Sequence, residues 1–195
     1  MKAKVACIVG NGPSRKTIDT QVLQERADIT TIGCNAIYRD HPNIDYVVAI
    51  DDGMIKECQE GIGERSTLVI PPVDQRYESA LYNTTRRRSN AGMNAMSLAI
   101  EQGHDLLYCI GFDFMIEDTD PGSNVYAGTS NYSAATRTNA SDVTNRLNYF
   151  DWYCAQNPGV TFIMVVPDEC KPKRLRAMNV VAMRSSIFNS KSEEK

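Results

Sequence analysis

Short apolar runs recur along the chain, and each has the length of a β-strand. The runs are rich in β-branched residues and are apolar without interruption, instead of alternating with polar residues. Strands of this kind are covered on both faces, as in a parallel sheet that has helices above and below it. The runs predict strands at residues 5–9, 29–34, 46–50, 67–70, 106–110 and 161–166.

Segments of helical character separate several of these strands. Residues 14–26 begin with a potential N-cap serine, residues 90–102 are rich in Ala, Met and Leu and stop at Gly103, and residues 141–156 begin with a serine. Strands that alternate with helices predict an α/β fold. We expect a Rossmann-like, doubly wound, mainly parallel sheet of about six strands with helices on both faces.

Two regions lie outside this alternation. Residues 115–140 are mostly polar, and loops of that length in compact domains are usually lids or binding loops, or are disordered. Residues 171–195 have a basic start, a weakly apolar middle and a charged end. The sequence therefore predicts one domain over residues 1–170, with a lid or binding loop at 115–140, and a C-terminal tail from residue 171.

Composition narrows the class of protein. The net charge is −3 and the sequence pI is about 5.4, so the chain has no global attraction to nucleic acid. We find no signal peptide and no apolar stretch long enough for a membrane-spanning helix. The six cysteines form no C-x-x-C pair, and several lie inside apolar runs, which favours buried thiols in a reducing compartment. We therefore expect a cytoplasmic protein.

Polar clusters follow directly after four of the predicted strands. In open α/β sheets, ligands bind beyond the carboxyl ends of the strands, near the point where the strand order reverses. If the strands are parallel, all four clusters lie at one edge of the sheet. The clusters are the GNGPS turn (residues 10–14), Asn35, Asp51-Asp52 and Gly111-Phe112-Asp113.

Taken one at a time, these clusters allow two interpretations. The GNGPS turn resembles a phosphate-binding turn, but it is neither G-x-G-x-x-G nor a Walker A loop, and a plain strand–helix turn explains it equally well. Asn35 suits a base or sugar contact, or a helix N-cap. Asp51 and Asp52 suit a metal or a ribose hydroxyl, or the start of a helix.

Other candidates are less specific. Asp118-Thr119-Asp120 spells the D-x-D pattern of many sugar-nucleotide transferases, which would make Asp118 and Asp120 metal ligands. Residues 86–88 are three arginines that suit either a phosphate clamp or a solvated basic turn. The two histidines, His41 and His104, are weak candidates for a general base.

Three segments resemble, in the same order, the bacterial sialyltransferases of glycosyltransferase family 42. They are IVGNGPS, TIGCNAIYRD and SNAGMNAMSLAIEQGHDLLYCIGFDF, and they cover most of residues 5–114. The stretch DYVVAIDDGM and the later GFDF…VYAG equally resemble a sister group, the DUF115 family, which includes a 6-hydroxymethylpterin diphosphokinase. Both families have a Rossmann-like core and bind a nucleotide at the edge that these motifs form.

The resemblance implies roles for particular residues. Asn11 and Gly12 would approach the phosphate or ribose, Asn35 the cytidine nucleotide, and Gly92 the sugar or ribose. Tyr126 would match one of two phosphate-binding tyrosines. The full set of residues expected at the nucleotide is Gly10, Asn11, Gly12, Ser14, Asn35, Asp51, Gly92 and Tyr126.

The chain departs from the family at several positions. Met115 stands where the other tyrosine would follow GFDF, and Ala91 replaces a serine. The catalytic histidine expected before the last long helix is absent, since Thr138 aligns with its place. Asp113 and Asp142 are the substitutes for the catalytic base. The chain is also shorter than those transferases, which have an extra lid segment for the sugar.

These patterns lead us to rank a nucleotide-binding transferase first, a sialyltransferase-like glycosyltransferase with a CMP-type nucleotide-sugar substrate. The alternatives are a Mg²⁺-dependent pyrophosphate transferase of the pterin diphosphokinase kind and a non-catalytic nucleotide- or sugar-binding protein. We expect a small-molecule nucleotide or nucleotide-sugar as partner and no nucleic acid, and the family resemblance allows a homo-oligomer. No cofactor is fixed by the sequence, although Mg²⁺ fits the rim carboxylates.

Overall fold

The computed structural model describes residues 3–19, 28–77, 79–82, 85–120, 123–134 and 139–190. These residues include nine strands and five α-helices. Of residues 79–82 and 85–88, only the backbone is described. The strands are β1 (Val5–Val9), β2 (Ile29–Cys34), β3 (Tyr46–Val48), β4 (Thr67–Val69), β5 (Ser79–Tyr82), β6 (Thr85–Arg88), β7 (Leu106–Ile110), β8 (Thr161–Val166) and β9 (Val180–Arg184). The helices are α1 (Asp52–Gly61), α2 (Val73–Arg76), α3 (Ala91–Glu101), α4 (Ala140–Gln156) and α5 (Ser185–Ser190).

Seven of these strands form one parallel sheet in the order β4-β3-β2-β1-β7-β8-β9. The predicted Rossmann-like α/β fold is therefore confirmed, with seven strands where about six were expected. The strand order grows outward from β1 to β4, returns to the centre at β7, and then grows outward in the other direction. The switch point lies between β1 and β7, which pair from Val5 with Leu106 to Val9 with Ile110.

The apolar runs are uninterrupted because both faces of the sheet are buried. Along β1, Ala6 and Ile8 belong to one core cluster, while Cys7 and Val9 belong to the other, and all four are at most 2% exposed. The first cluster packs under α3 and α4. The second packs under α1 and α5. Successive residues of a strand point to opposite faces, so a strand inside two helix layers must be apolar at every position.

Helix α3 shows how closely the local signals predict an element. Asn90 is its N-cap, and the side chain of Asn90 accepts a hydrogen bond from the N–H of Met93 at 3.1 Å. Gly103 follows the helix with a φ of +82°, where its N–H donates to the carbonyl of Ile100. A glycine adopts this left-handed conformation without steric cost, which ends the helix.

Several elements differ from the expectation. The seventh strand, β9, and α5 lie in the segment predicted as a tail. Helix α1 begins at Asp52, as the helix-capping alternative for Asp51 and Asp52 allowed. No element was expected where α2 and the β5–β6 hairpin lie. Residues 13–17 form a short 3₁₀ helix, and residues 20–27 of the predicted first helix lie outside the described residues.

The structure also bears on two expectations from composition, that the cysteines are buried thiols and that no segment spans a membrane. Five cysteines are buried and Cys170 is partly exposed, and none forms a disulfide. Burial raises the pKa of the Cys34 thiol to about 12. In the part of the chain that is described, no helix has the length and apolar character needed to span a bilayer.

Candidate functional site

A cleft of about 440 Å³ opens at the carboxyl edge of the sheet, directly over the switch point. We call it the central cleft. Its walls come from the segments that follow β1, β2, β3 and β7, from the start of α3 and from the loop at 123–134. The lining includes Gly10, Asn11, Gly12, Asn35, Asp51, Tyr77, Ser89, Asn90, Ala91, Gly92, Gly111, Phe112, Asp113, Asn131, Tyr132 and Arg146.

The GNGPS turn and the segment after β7 interlock through their backbones. The N–H of Gly10 donates to the carbonyl of Ile110 at 2.8 Å, and the N–H of Gly12 donates to that of Gly111 at 3.0 Å. A Cβ on Gly10 would lie 2.7 Å from the Gly111 carbonyl oxygen, and one on Gly12 would lie 2.1 Å from a carboxylate oxygen of Asp113. Both positions therefore require glycine because the two segments touch, whether or not a ligand is bound.

Asp113 is bonded to the turn itself. Its carboxylate accepts the N–H of Ser14 at 3.1 Å and also the Ser14 hydroxyl. Asp113 is 5% exposed; burial raises the pKa of its carboxyl group, and the two bonds from Ser14 partly oppose that shift. Ser14 was expected at the nucleotide, but its N–H donates to Asp113 in the described structure.

Asn11 lines the central cleft, but its side chain is engaged on both sides. The amide oxygen accepts a bond from the Arg15 guanidinium at 3.2 Å, and the amide nitrogen donates to the carbonyl of Cys34 at 3.1 Å. The backbone carbonyl of Asn11 accepts the N–H of Val125. Asn11 therefore ties the ends of β1 and β2 to the loop at 123–134.

Tyr126 lies behind the turn and is not among the residues that line the central cleft. Its hydroxyl accepts a bond from Arg15 at 2.8 Å and donates to Asp40 at 2.8 Å. The guanidinium of Arg15 lies over the Tyr126 ring, 5.0 Å from its centroid. Burial raises the pKa of the Tyr126 hydroxyl, so this group is neutral near pH 7 and acts as a packing and hydrogen-bonding element.

Asn35 holds a strained backbone conformation at the cleft wall. Its φ is +52°, which a residue other than glycine adopts rarely. Its amide nitrogen donates to Asp51 at 3.3 Å, and its amide oxygen accepts the N–H of Ile50 at 3.4 Å. Tyr77 donates to the same carboxylate. Asn35 and Asp51 are thus brought together, as the predicted edge requires.

Tyr132 adds a hydroxyl to the same wall. Burial raises the pKa of Tyr132 to about 12. The buried hydroxyl of Tyr132 has no hydrogen-bond partner among the described residues. Tyr132 also packs on Tyr126, with 5.8 Å between the ring centroids. The loop at 123–134 is therefore fixed at the cleft by aromatic packing as well as by the Arg15 contacts.

The start of α3 forms another part of the wall. Asn90, Ala91 and Gly92 line the cleft there. A Cβ on Gly92 would lie 2.5 Å from the ring of Phe112, so packing against this ring also requires a glycine here. Arg146, on the second turn of α4, is the cation among the described lining residues.

The remaining predicted residues lie elsewhere. Asp142 is in the first turn of α4 and does not line the central cleft. Asp118 and Asp120 are exposed in the loop after β7, outside the cleft. Among the described residues, no three His, Cys, Asp or Glu side chains form a group that could hold a metal ion. Thr138 and the side chains of residues 86–88 lie outside the described residues.

Among the residues at or behind the cleft that sequence reasoning missed, three bear most on its shape and charge. Arg15 lies in a short 3₁₀ helix, Tyr132 in a polar loop and Arg146 on a long helix. None of the three is among the residues directly after a strand, where the sequence predicted a ligand site. Only the contacts of the folded chain bring them to the switch point. Arg15 directly follows the GNGPS turn, and this position is a signal that could have identified it. No local pattern marked Tyr132 or Arg146.

The geometry therefore describes one cleft at the switch point of a Rossmann-like sheet, with two carboxylates, one guanidinium and several amides on its wall. A fold of this class hosts many activities, so the function must be argued from these residues. Comparisons of the chain with protein-family models, with curated proteins and with solved structures gave no match.

Proposed function

We propose that the central cleft binds a nucleotide and that the chain is a sialyltransferase-like glycosyltransferase with a CMP-type nucleotide-sugar donor. The main support is the convergence of segments from four parallel strands on one cleft at the switch point. Open α/β sheets bind their ligands at this position. Asn11, Asn35 and Gly92, which the family resemblance assigns to the donor, all line it.

The phosphate of the donor would bind at the start of α3. The first N–H groups of an α-helix have no intrahelical acceptors, and the helix dipole makes that end positive. Ala91 and Gly92 provide such N–H groups at the cleft wall, and Arg146 adds a cation. The GNGPS turn is less suited to this role, because Asp113 already accepts the Ser14 N–H.

The ribose would bind beside Asp51. A carboxylate accepts hydrogen bonds from vicinal hydroxyl groups, and Asn35 and Tyr77 orient this one by donating to it. Asn11 would position the cleft wall for the ligand, since its amide holds the ends of β1 and β2 together.

Sugar transfer would break the bond between the anomeric carbon and the phosphate oxygen and form a bond from that carbon to the acceptor oxygen. The phosphate leaves with the bonding electrons, and the α3 N-terminus with Arg146 stabilises its charge. The acceptor hydroxyl gives its proton to a base. Asp113 is the candidate, because it lines the cleft and burial raises the pKa of its carboxyl group, which makes the carboxylate more basic.

A metal-dependent pyrophosphate transfer has less support. Asp118 and Asp120 lie outside the central cleft. The described carboxylates do not converge in a group that could hold a metal ion. We therefore derive no step through Mg²⁺.

A thermal-shift screen with CMP, UDP, GDP and ATP, each with and without Mg²⁺, tests the proposal. We expect CMP to raise the melting temperature without metal, since the phosphate contacts come from backbone N–H groups and Arg146. A shift that requires ATP and Mg²⁺ would instead favour the pyrophosphate transferase. The absence of a shift with every nucleotide would overturn nucleotide binding altogether.

Two arginine variants test the assigned phosphate position. Arg146→Gln removes the cation of the cleft and should weaken CMP binding by roughly 10-fold, as expected for a charge-assisted bond. Arg65→Gln removes an exposed arginine far from the cleft and should leave the CMP affinity unchanged. Equal affinities of the two variants would contradict the position. Release of the sugar from its CMP donor would then separate a transferase from a binding protein.

A further inference from the structure

A second cleft, of about 460 Å³, lies between α3 and α4 with α2 at its lip. We call it the lateral cleft. It touches the central cleft at Ser89, which lines both. The chemistry proposed for the central cleft makes no use of its other residues.

Three aromatic side chains of α4 line the lateral cleft as one cluster. The rings of Tyr149 and Tyr153 are stacked, with 6.0 Å between centroids and 15° between planes. Trp152 meets Tyr149 edge to face at 5.4 Å. Tyr149 is only 4% exposed and supports the other two rings from behind. The partly exposed rings of Trp152 and Tyr153 are therefore the apolar surface that can pack against the C–H groups of a ligand.

The inner polar groups of the lateral cleft are already bonded within the protein. The amide nitrogen of Asn94 donates to the carbonyl of Asn90 at 3.0 Å, the hydroxyls of Ser97 and Tyr153 lie 2.9 Å apart, and the amide of Asn157 donates to the carbonyl of Tyr153 at 2.8 Å. These bonds fix the shape of the wall. They leave few inner donors for a ligand.

The outer polar groups are different. Asp74, Glu101 and Gln156 are exposed at the lateral cleft, and none of their side chains has a hydrogen bond to another described residue. They offer carboxylate and amide oxygens that accept hydrogen bonds, and one amide that donates. None of the described side chains that line the lateral cleft is cationic, so an anionic ligand would meet two carboxylates without a counter-charge.

We propose that the lateral cleft binds a neutral saccharide. The C–H face of a pyranose packs on Trp152 and Tyr153, its hydroxyl groups donate to Asp74 and Glu101, and Gln156 both donates and accepts. This inference rests on the proposed function in one respect: a saccharide that extends past Ser89 reaches the central cleft, which makes it the acceptor. Binding of the saccharide itself does not depend on the nucleotide.

Titration of the full chain with lactose, maltose and N-acetyllactosamine, followed by NMR of the tryptophan side chain, tests the proposal. We expect the indole signal of Trp152, the single tryptophan of the chain, to shift with at least one of these sugars. Glu101→Gln keeps the shape of the side chain but removes its charge, and should weaken that binding by roughly 10-fold. Glu60→Gln, on exposed α1, is the control and should bind like the unchanged chain.

The outcomes separate the two clefts. Saccharide binding without CMP binding would leave the lateral site standing and overturn the proposed function. CMP binding with no shift of the Trp152 signal by any of the three sugars would overturn the saccharide site alone. A shift caused by choline and by none of the sugars would identify a site for organic cations, and would equally contradict the proposal.

Discussion

Gly12 and Asp113 determine the geometry of the central cleft at the scale of single residues. Asp113 fills the space that a side chain at position 12 would need, and it accepts two hydrogen bonds from Ser14. Gly12 therefore fits against the aspartate of GFDF, while Gly10 fits against the backbone of Gly111. The glycines of GNGPS, which suggest a ligand-binding turn, are thus also required by packing.

Gly12→Ala tests this contact. The new Cβ would lie 2.1 Å from the Asp113 carboxylate, so either the turn or Asp113 must move. We expect a loss of about 2 kcal/mol in the free energy of unfolding, as for other strongly overpacked sites. Gly159→Ala, whose Cβ would meet nothing within 4 Å, should change it by less than about 0.5 kcal/mol. Similar values for the two variants in urea denaturation would show that the contact is not tight.

The carboxyl group of Asp113 predicts a pH dependence. Burial raises its pKa in the folded chain above the ordinary 3.8, so folding favours the neutral form. The contribution of the neutral Asp113 carboxyl group to the free energy of unfolding is complete below pH 3.8. It is lost as the pH rises through the raised pKa. Urea denaturation at several pH values should therefore show Asp113→Asn gaining stability relative to the unchanged chain as the pH rises from 3.8 toward neutrality. A difference that stays constant, or that changes in the opposite direction, would contradict the raised pKa.

Tyr126 has a structural role that one substitution can separate from ligand binding. Tyr126→Phe removes the hydroxyl that bridges Arg15 and Asp40 but keeps the ring, and we expect a loss of about 1–2 kcal/mol in the free energy of unfolding. The affinity for CMP should stay unchanged, because Tyr126 does not line the central cleft. Tyr108→Phe serves as the control, since no described hydrogen bond involves its hydroxyl. A lower CMP affinity with normal stability would instead support the phosphate contact that the family resemblance implies.

At the scale of elements, the sequence predicted what local chemistry determines. The six predicted strands and α3 match the structure almost residue for residue, because apolar runs, the Asn90 cap and Gly103 act locally. Helix α1 was foreseen only as one alternative for Asp51 and Asp52, because it has just three apolar side chains, Met54, Ile55 and Cys58, among polar and charged ones. Strand β9 was missed because its residues are half exposed at the edge of the sheet, so its apolar pattern is weak.

The caps of α3 and α4 provide a matched pair of variants. Asn90 accepts a bond from Met93 and Asn139 accepts one from Asp142, so replacing either by Ala should cost about 1 kcal/mol of stability. Only Asn90 lies at the central cleft. Calorimetry should therefore find weaker CMP binding for Asn90→Ala and an unchanged affinity for Asn139→Ala. An unchanged affinity in both variants would remove the start of α3 from the site.

At the scale of the whole molecule, the strand order brings the polar clusters together. Because β1 and β7 are neighbours, the segments after them meet, although residues 10 and 111 are far apart in sequence. The sequence predicted that Asn11, Asn35, Asp51 and Asp113 would share an edge, and the family resemblance added Gly92. All five line the central cleft. It could not predict Arg146 or Tyr132, whose positions depend on how α4 and the loop at 123–134 pack.

The most direct test of nucleotide binding at the central cleft is an NMR titration of the isotope-labelled chain with CMP. We expect the amide signals of Asn11, Asn35, Ala91 and Gly92 to shift together with one affinity, because these residues surround one cleft. Amides at the opposite edge of the sheet, such as that of His104, should stay in place. Signals that do not move at saturating CMP, or shifts that cluster away from the start of α3 and the GNGPS turn, would contradict the account.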